Sequence, residues 1–391
     1  MRICVAYDCL YPWTVGGAER WLTTLAQRLA ADGHEVTYLT RRQWTDDDPP
    51  CVPGVRVIAV SPADELYGAD GNRRIAPPLR FGRGVLGHLL RHRGAYDAVH
   101  TCSFPYFPVL ACAIALRRTE TRLAVDWFEV WSREYWRAYL GPAGGAVGHA
   151  IQRLCARVPQ QAFVFSDRHA ARLVGEGLSG TATKLGGLYA GPVSPAHDPR
   201  GPRDPLVVFA GRHIAEKRVP AIPPAVAAAR ARIPGLRALI LGDGPERDAT
   251  RRAIDASGTG DAIDLPGFVD AAAVADALSR GTCLLLPSRR EGYGLVVIEA
   301  AAHGTPAIVV DDPDNAAVEL VECGVNGVVA ASASPEDLAA AIVRTHEEGP
   351  ALRGRTAAWF AAAAPELTIE ASMHTVLATY AGAPQSASAR S

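Results

Sequence analysis

The chain has 391 residues, with 40 Lys and Arg against 41 Asp and Glu, so its net charge is −1. Hydrophobic residues make up 48% of the sequence and charged residues 21%. These values exclude a disordered polyelectrolyte, a collagen-like repeat and a strongly basic nucleic-acid-binding protein. The length predicts two or three globular domains, each with its own core.

The eight cysteines form neither a C-x-x-C pair nor a Cys/His cluster with zinc spacing, which argues against a metal site or a disulfide framework. The apolar segment at the N-terminus is too short for a signal peptide or a membrane span, and the sequence contains no apolar stretch of about 18 residues or more. We therefore expect a cytoplasmic protein without a metal.

Short apolar segments alternate with longer segments of helical period along the whole chain. The predicted strands are residues 2–8, 35–40, 55–60, 98–102, 122–128 and 162–165 in the first half, and 206–211, 236–241, 283–287 and 307–310 in the second. Runs that are apolar on both faces are typical of parallel strands covered by helices on each side. The pattern occurs twice and predicts an α/β protein with two Rossmann-like, doubly wound domains.

A proline-rich segment separates the two halves and predicts a linker. The predicted organisation is an N-terminal domain (1–190), a linker (191–205), a C-terminal domain (206–365), a C-terminal helix that returns to the N-terminal domain (366–382) and a disordered tail (383–391). Two such domains would face each other across a cleft, where the carboxyl ends of their strands would bind a ligand.

Gly16 and Gly17 follow the first predicted strand and begin a helix. Glycines at a helix start let an anion approach bare backbone N–H groups at the positive end of the helix dipole. An ordinary glycine turn is the alternative. The full G-x-G-x-x-G pattern is absent, so the segment does not indicate a nicotinamide cofactor.

In the second half, Arg212 and Lys217 follow the strand at 206–211. A guanidinium and an ammonium at the carboxyl end of a parallel strand would together neutralise a diphosphate. Two solvated surface cations are the alternative. Lysine is rare in this sequence, since Lys184 and Lys217 are its only two, so a lysine at this place favours the binding interpretation.

The strand at 283–287 runs into a loop with two glycines, and a helix begins near Gly294. Glu291 lies in the loop, and Glu299 lies eight residues later within the helix. Exposed amides of Gly292 and Gly294 would face a phosphate, and each carboxylate would accept hydrogen bonds from sugar hydroxyls.

These segments together resemble one family. The run EGYGLVVIEAAAHGTPAIV, with GRHIAEKR, LGDGP at 241–245, PGF at 266–268 and the N-terminal GGAERWLTTLAQRLAADGHEVTYLT, is similar to retaining GT-B glycosyltransferases of family 4, the glycosyl transferases of group 1. The resemblance spans nearly the whole chain. It implies the GT-B fold, with an N-terminal domain that binds the acceptor and a C-terminal domain that binds a nucleotide sugar.

The resemblance also implies a role for each matching residue. Arg212 and Lys217 would bind the donor's diphosphate and stabilise the leaving group, and Glu291 would contact the donor sugar. These three are the expected catalytic residues. The expected donor-binding residues are Gly16, Gly17, Gly242, Gly244, Phe268, Gly292, Tyr293, Gly294, Leu295 and Glu299. Among them, Glu299 would hold the ribose and the region of Phe268 would border the base.

Two places depart from the family, of which the first is residues 190–193 (AGPV), where relatives often carry asparagine-glycine-isoleucine-aspartate. The second bears on the mechanism. Where relatives carry a histidine that projects toward the sugar, the stretch Asp126–Trp131 has Phe128. A phenyl ring cannot donate or accept a proton, so Asp126, Glu129 or His100 would compensate, or the role is dispensable.

Six of the seven tryptophans lie in the first half of the sequence. Flat aromatic faces stack on sugar rings, and Trp13 and Trp131 are the best placed of these residues, whereas Trp21 and Trp127 fit core packing equally well. The candidate acceptor-binding residues are Trp13, His100, Asp126, Phe128, Glu129 and Trp131.

The stretch 71–96 contains six arginines and no acidic residue. Together with its leucines it would bind an anionic lipid surface, which would give a cytoplasmic protein a peripheral membrane contact, or a phosphorylated acceptor. A solvated basic helix is the alternative.

We therefore expect a metal-independent, retaining glycosyltransferase with no bound cofactor. It would move a hexosyl unit from a UDP- or GDP-sugar co-substrate to a hydroxyl of a natural product, an aminocyclitol or a glycan, including a lipid-linked one. A sugar-nucleotide 2-epimerase of the same fold is one alternative. A degenerate member that binds nucleotide sugars without turnover is the other, because Phe128 replaces the family histidine.

Overall fold

The structure is a computed structural model that describes residues 1–14, 16–66, 74–192, 201 and 203–381. The chain divides into two compact units. The first comprises Met1–Gly186 and the segment that begins at Ile369, and the second comprises Gly187–Thr368. Most of the predicted linker, all of the predicted tail and residues 71–73 of the basic stretch lie outside the described residues.

The first unit is built on a parallel sheet. Its strands are β1 (Arg2–Ala6), β2 (Glu35–Arg41), β3 (Val55–Ser61), β4 (Ala98–Cys102), β5 (Arg122–Trp127), β6 (Gln160–Val164) and β7 (Gly180–Lys184). They are hydrogen-bonded in the order β3-β2-β1-β4-β5-β6-β7. The order reverses direction between β1 and β4, and in such sheets ligands bind at the carboxyl ends of the strands near the reversal.

Helices connect these strands. They are α1 (Gly17–Ala31), α2 (Ala76–Arg91), α3 (Phe107–Ala115), α4 (Arg133–Ala156), which is kinked at Gly141, and α5 (Asp167–Gly175). Helix α1 shows why the sequence forms a helix here, because Trp21, Leu22, Leu25 and Leu29 recur with helical period and are all buried.

The second unit repeats the architecture. Its strands are β8 (Leu206–Ala210), β9 (Arg237–Leu241), β10 (Ile263–Gly267), β11 (Cys283–Leu286), β12 (Arg290–Glu291), β13 (Ala307–Val310), β14 (Asp314–Asn315) and β15 (Gly327–Ala330). Six form a parallel sheet in the order β10-β9-β8-β11-β13-β15, and the short β12 and β14 pair with each other. Its helices are α6 (Ile222–Arg230), α7 (Arg247–Ser257), α8 (Ala271–Arg280), α9 (Leu295–Ala302) and α10 (Pro335–Leu367), which is kinked at Gly349. The two sheets confirm the predicted α/β fold with two Rossmann-like domains.

The two ends of the second unit are joined by hydrogen bonding. The backbone N–H of Tyr189 donates to the carbonyl oxygen of Leu367 over 3.1 Å, and Tyr189 and Thr368 form an isolated parallel bridge. The backbones are so close that a Cβ atom on Gly187 would lie 1.8 Å from the Leu367 oxygen. The chain therefore enters and leaves this unit at one place.

The last helix, α11 (Ile369–Ala381), belongs to the first unit. Near its end, Tyr380 is buried, and its hydroxyl hydrogen-bonds to Nδ1 of His100 in β4. The Arg122 guanidinium at the start of β5 donates to the carbonyl oxygen of Tyr380 over 2.6 Å. These two contacts attach the end of α11 to neighbouring strands of the first sheet.

Besides the short pair β12 and β14, three strands of the two large sheets were not predicted: β7, β10 and β15. Each is the last strand at one edge of its sheet. Strand β7 has the polar sequence GTATK and is mostly exposed, and β10 contains Asp264 and Pro266. Edge strands are covered less completely than central ones, so β7 and β10 need no continuous apolar run and give a weak sequence signal. Strand β15 is short, apolar and mostly buried, so this reason does not apply to it. None of the helices within the described ranges combines the length and the hydrophobicity needed to cross a lipid bilayer.

Candidate functional site

The carboxyl ends of four neighbouring strands bring together the predicted residues of the second unit. The strands β10, β9, β8 and β11 are consecutive in the sheet. The segments that follow their carboxyl ends carry Phe268 after β10, Gly242 and Gly244 after β9, Arg212 and Lys217 after β8, and Glu291, Gly292, Tyr293, Gly294, Leu295 and Glu299 after β11. Residues far apart in the sequence thus lie along one edge of one sheet, which is the ligand-binding edge of such folds.

Gly242 and Gly244 allow the segments after β8 and β9 to touch through their backbones. Both have positive φ, 118° and 151°. A Cβ atom on Gly242 would lie 1.9 Å from the Gly211 carbonyl oxygen, and one on Gly244 would lie 2.5 Å from that of His213. The His213 N–H donates to the Asp243 carbonyl oxygen over 2.8 Å. Only glycine fits at these two positions, because backbone atoms of the neighbouring segment occupy the space that a side chain would need.

Lys217 and Glu291 form the central ion pair of the site. Lys217 ends a short 3₁₀ turn (Ala215–Lys217), and its Nζ donates to Oε1 of Glu291 over 2.5 Å. Only 19% of the Lys217 side chain and 9% of the Glu291 side chain is exposed. The hydroxyl of Ser288 donates to the same oxygen over 2.7 Å. The two predicted catalytic residues therefore meet in a largely buried setting.

The residues on either side of Lys217 also contact the segments after β11 and β13. The backbone N–H of Arg289 donates to the Glu216 carbonyl oxygen over 2.8 Å, and the guanidinium of Arg218 donates to Asp312 over 3.1 Å. Three consecutive residues, 216 to 218, thus fix the Lys217 loop against its neighbours. Arg212 is exposed, and its guanidinium takes part in no ion pair within the described chain, so it is accessible to an anion.

Gly294 begins helix α9 with a backbone that only glycine adopts easily. Its φ is 98°, and an added Cβ would lie 2.7 Å from Cβ of Ala317. No side chain caps this helix start, so its first N–H groups can bind an anion. Tyr293 is 7% exposed, and burial raises the pKa of its hydroxyl. The ring of Tyr293 is therefore buried in the second unit, and only its backbone could contact a ligand at this loop.

Glu299 and Phe268 lie at the borders of this region. Burial, with the negative charge of Glu299 as a second cause, raises the pKa of Tyr189 to about 12. Phe268 is 76% exposed, the largest exposure among the large hydrophobic residues of the described chain. An aromatic face presented to solvent at a strand end is suited to stacking on a base.

In the first unit, the segment after β1 carries the predicted Trp13, Gly16 and Gly17. Gly16 is the N-cap of α1 with an extended backbone, and no side chain caps this helix. Trp13 is partly exposed, and its ring meets that of Trp44 edge-on with centroids 6.2 Å apart. Trp44 follows β2, the neighbour of β1, and its pairing with Trp13 was not predicted.

Phe128 and Glu129 follow the carboxyl end of β5 and remain partly exposed. The ring of Phe128 stacks on Phe165, with centroids 4.6 Å apart and ring planes 5° from parallel. Oε2 of Glu129 accepts a hydrogen bond from the indole N–H of Trp131 over 2.7 Å. The residue in place of the family histidine is therefore an ordered aromatic ring, and the neighbouring carboxylate is held by an indole.

Three of the candidate acceptor-binding residues are buried. His100 and Asp126 are 0% exposed, with Nε2 of His100 2.9 Å from Oδ1 of Asp126. The indole N–H of Trp21 donates to the other Asp126 oxygen over 2.7 Å. Trp131 is 8% exposed and packs in an aromatic cluster of the first unit. All three side chains are enclosed within the first unit, and their role as acceptor contacts stays a prediction.

Two arginines of the basic stretch are paired with acidic residues that precede it. Arg80 contacts Asp64 at 2.5 Å, and Arg74 contacts Glu65 at 3.3 Å. Two leucines of α2, Leu79 and Leu90, are 43% and 46% exposed. These ion pairs reduce the local positive charge, and membrane contact through this stretch stays a prediction.

Sequence reasoning gave no role to Ser288 or Asn315, although both are fully buried beside Glu291. Asn315 pairs with Glu291 in the register of β12 and β14, and its side chain donates to the Ser288 carbonyl oxygen over 3.2 Å. The contact of Ser288 could have been predicted, because Ser288 lies only three positions before Glu291 in the sequence. Asn315 had no recognisable signal, because its contact depends on the path of the chain after β13.

Comparisons with known proteins agree with this architecture. Residues 16–184 match the family model described as "Glycosyl transferase 4-like domain", and residues 204–348 match "Glycosyl transferases group 1". A glycogen synthase of Mycobacterium tuberculosis is 28% identical over 91% of this chain and 88% of its own. An alpha-D-kanosaminyltransferase of Streptomyces kanamyceticus is 32% identical, over only 39% of each chain.

The structure of a sucrose-phosphate synthase from Thermosynechococcus elongatus has the same fold. It superposes with a TM-score of 0.78 at 20% sequence identity and covers 97% of this chain and 98% of its own. Each half of the sequence matches a glycosyltransferase domain, and both units have the Rossmann-like sheet of that fold. The chain therefore belongs to the glycosyltransferases of the GT-B fold.

Proposed function

We propose that the protein is a retaining hexosyltransferase of family 4 that acts without a metal. It would take a hexosyl unit from a UDP- or GDP-sugar bound by the second unit and transfer it to an acceptor hydroxyl held by the first. The acceptor class would be a natural product, an aminocyclitol or a glycan. Phe268, exposed at the end of β10, is the proposed contact for the base, and Glu299 for the ribose.

The observation that carries this proposal is the convergence of Lys217 and Glu291 at the strand ends, beside the uncapped start of α9. Cleavage of the bond between the anomeric carbon and the phosphate oxygen places negative charge on the departing diphosphate. Arg212, Lys217 and the first N–H groups of α9 would stabilise that charge as it develops. Glu291 would accept a hydrogen bond from a hydroxyl of the sugar.

Retention of configuration would follow from a substitution on one face of the sugar. In this mechanism the departing phosphate takes the proton of the acceptor hydroxyl, so the protein does not have to supply a base. Phe128 supports this version of the mechanism, because its ring occupies the position of the family histidine and cannot transfer a proton. Phe128 would then shape the sugar pocket.

Two other functions compete with this proposal. A sugar-nucleotide 2-epimerase of the same fold would bind the same donors and isomerise the sugar. A degenerate protein would bind nucleotide sugars and leave them unchanged, and the replacement of the histidine by Phe128 is the observation that favours it.

One experiment separates the three. The purified protein is incubated with a panel of UDP- and GDP-sugars, each with and without candidate acceptors, in buffer containing EDTA. Release of nucleoside diphosphate is measured, and products are identified by mass spectrometry. A new α-configured glycoside from an α-linked donor supports the proposal, an isomerised donor supports the epimerase, and binding without any product supports the degenerate protein. Loss of transfer in EDTA would contradict metal independence.

A further inference from the structure

Two donors contact a single oxygen of Glu291. Ser288 Oγ donates to Oε1 over 2.7 Å, and Lys217 Nζ donates to the same Oε1 over 2.5 Å. Within the described residues, the other oxygen, Oε2, has no hydrogen bond or ion pair. A carboxylate has acceptor capacity on both oxygens, so the one without a protein partner is the one available to a ligand.

Ser288 is held more firmly than a surface serine. It is 0% exposed and is the second residue after β11. Its carbonyl oxygen accepts from the side-chain amide of Asn315 over 3.2 Å, and the same amide donates to the Val310 carbonyl oxygen over 2.8 Å. Asn315 is also 0% exposed, and its Oδ1 accepts from the backbone N–H of Ala317 over 3.1 Å. The backbone of Ser288 is thus fixed by the buried side chain of Asn315, and its hydroxyl donates to Glu291 from that fixed backbone.

The ion pair between Lys217 and Glu291 would weaken when the donor binds, whereas the hydrogen bond from Ser288 would not. Under the proposed function, Lys217 also has to meet the negative charge of the donor's diphosphate, and an ammonium shared between two anions is held less strongly by each. Ser288 is neutral and buried, and the proposed function does not require it to bind the diphosphate. Its hydrogen bond would remain in place while the charge on the phosphate grows.

We propose that Ser288 is a positioning residue for the sugar-binding carboxylate. Its hydroxyl holds Oε1 of Glu291 and thereby presents Oε2 to a hydroxyl of the donor sugar. The inference rests on the proposed function and adds to it, because it assigns how one glutamate is oriented for a nucleoside diphosphate sugar. Ser288 acts through Glu291 and does not touch the nucleotide.

The test compares Ser288→Ala with Ser288→Thr, which keeps the hydroxyl. The control is Ser257→Ala, which removes a hydroxyl of the same unit that donates to a helix carbonyl oxygen, that of Ala253, over 2.7 Å. Binding of UDP and GDP, and of UDP-glucose, UDP-N-acetylglucosamine and GDP-mannose, is measured by calorimetry. Turnover is measured with the donor that the wild-type protein prefers, and unfolding midpoints are recorded for all variants.

Ser288→Ala should lower kcat by roughly 10- to 100-fold and reduce the preference for the nucleotide sugar over the free nucleoside diphosphate. Affinity for the free nucleoside diphosphate should stay within about twofold of wild type, because Ser288 does not contact it. Ser288→Thr should restore most of the turnover, and Ser257→Ala should behave as wild type. If Ser288→Ala does not fold, Ser288→Cys provides the test, since a thiol is a weak donor of similar size.

Unchanged kcat in folded Ser288→Ala would overturn the inference, as would an equal loss of affinity for the free nucleotide and the nucleotide sugar. Failure of Ser288→Thr to recover turnover while its unfolding midpoint matches wild type would also overturn it. The binding ratio needs no turnover, so it tests Ser288 even if the wild-type protein transfers no sugar. In that case the proposed function fails separately.

Discussion

Nζ of Lys217 lies 2.5 Å from Oε1 of Glu291, although 74 residues separate the two in the sequence. Both side chains are largely shielded from water, so each charge depends on the other for compensation. Donor binding would bring a diphosphate to Lys217 and a sugar hydroxyl to Glu291. The proposed reaction requires an ammonium near the diphosphate and a carboxylate near the sugar. Lys217 and Glu291 supply these two groups, and their ion pair holds both side chains in place.

Glu291→Gln and Lys217→Ala should each lower turnover by about 100-fold or more, because each removes a contact that stabilises the transition state. The matched control is Lys184→Ala. Lys184 is the other lysine of the chain, and it pairs with Asp167 at 2.6 Å on an exposed face of the first unit. Steady-state rates with the preferred donor provide the measurement. Wild-type rates in either site variant would show that the donor site is wrongly assigned.

Phe268→Ala should weaken binding of UDP or GDP by about 1–3 kcal/mol, the usual contribution of stacking between a base and an aromatic ring. Isothermal titration with the free nucleotide measures this effect without any acceptor. Ile114→Ala is the control, since Ile114 is an exposed hydrophobic residue of the first unit at 59% exposure. Equal affinity in wild type and Phe268→Ala would place the base elsewhere.

His213→Leu should stabilise the protein. His213 is 0% exposed, and neither ring nitrogen has a hydrogen-bond partner among the described residues. A buried polar group without a partner costs about 1–3 kcal/mol, and leucine fills a similar volume without that penalty. Urea unfolding at pH 7 should therefore show a higher midpoint. The exposed His374 provides the control, and His374→Leu should give no such gain.

The fold, and the grouping of most candidate donor-site residues at one end of the second sheet, could be predicted from the sequence, because these residues lie in contiguous motifs. Gly292, Tyr293, Gly294 and Leu295 follow Glu291 directly, so one segment places them together. Contacts that depend on tertiary packing could not be predicted. Nothing in the sequence around Asn315 indicates that it holds Ser288.

The burial of His100 and Trp131 could not be predicted from the sequence either. His100 and Trp131 are polar or aromatic residues near strand ends, where a functional role was plausible. His100 is covered by Tyr380 of α11, 280 residues later in the sequence, and Trp131 packs against Phe104 and Trp136. Local sequence does not report which side chains a later helix will cover.

Stability should fall as the solution becomes acidic, in part because of His88. Burial, together with the positive charges of His92, Arg91 and Arg56, lowers the pKa of His88 to about 4. The unfolded chain binds a proton near pH 6.5, whereas the folded chain resists protonation until about pH 4. Stability is therefore fully present above pH 6.5 and is lost as the pH falls toward 4.

His88→Gln should remove this component. Between pH 7 and pH 5 the wild-type protein should lose roughly 2 kcal/mol of unfolding free energy that the variant does not lose. Denaturant unfolding at the two pH values measures the difference, and His374→Gln is the exposed control. A variant with the same pH dependence as wild type would show that His88 is protonated equally in both states.

Tyr380→Phe should destabilise the first unit by about 1–2 kcal/mol, because it removes the hydroxyl that bonds to buried His100 and leaves Nδ1 without its partner. Thermal unfolding of the full chain provides the measurement. Thr379→Ser is the control, since it keeps the hydroxyl of the neighbouring residue, which bonds to the Thr375 carbonyl oxygen within the helix. An unchanged midpoint would mean that this hydrogen bond contributes nothing to stability.

The hydrogen bond between Tyr189 and Leu367 has a consequence for how such enzymes diversify. The chain enters and leaves the second unit at adjacent positions. Recombination with one junction before residue 187 and another after residue 368 would therefore exchange this whole unit. The first sheet, with helix α11 attached to it, would keep both of its own segments. Under the proposed function, such an exchange would change the nucleotide-sugar preference and would leave the proposed acceptor-binding residues unchanged.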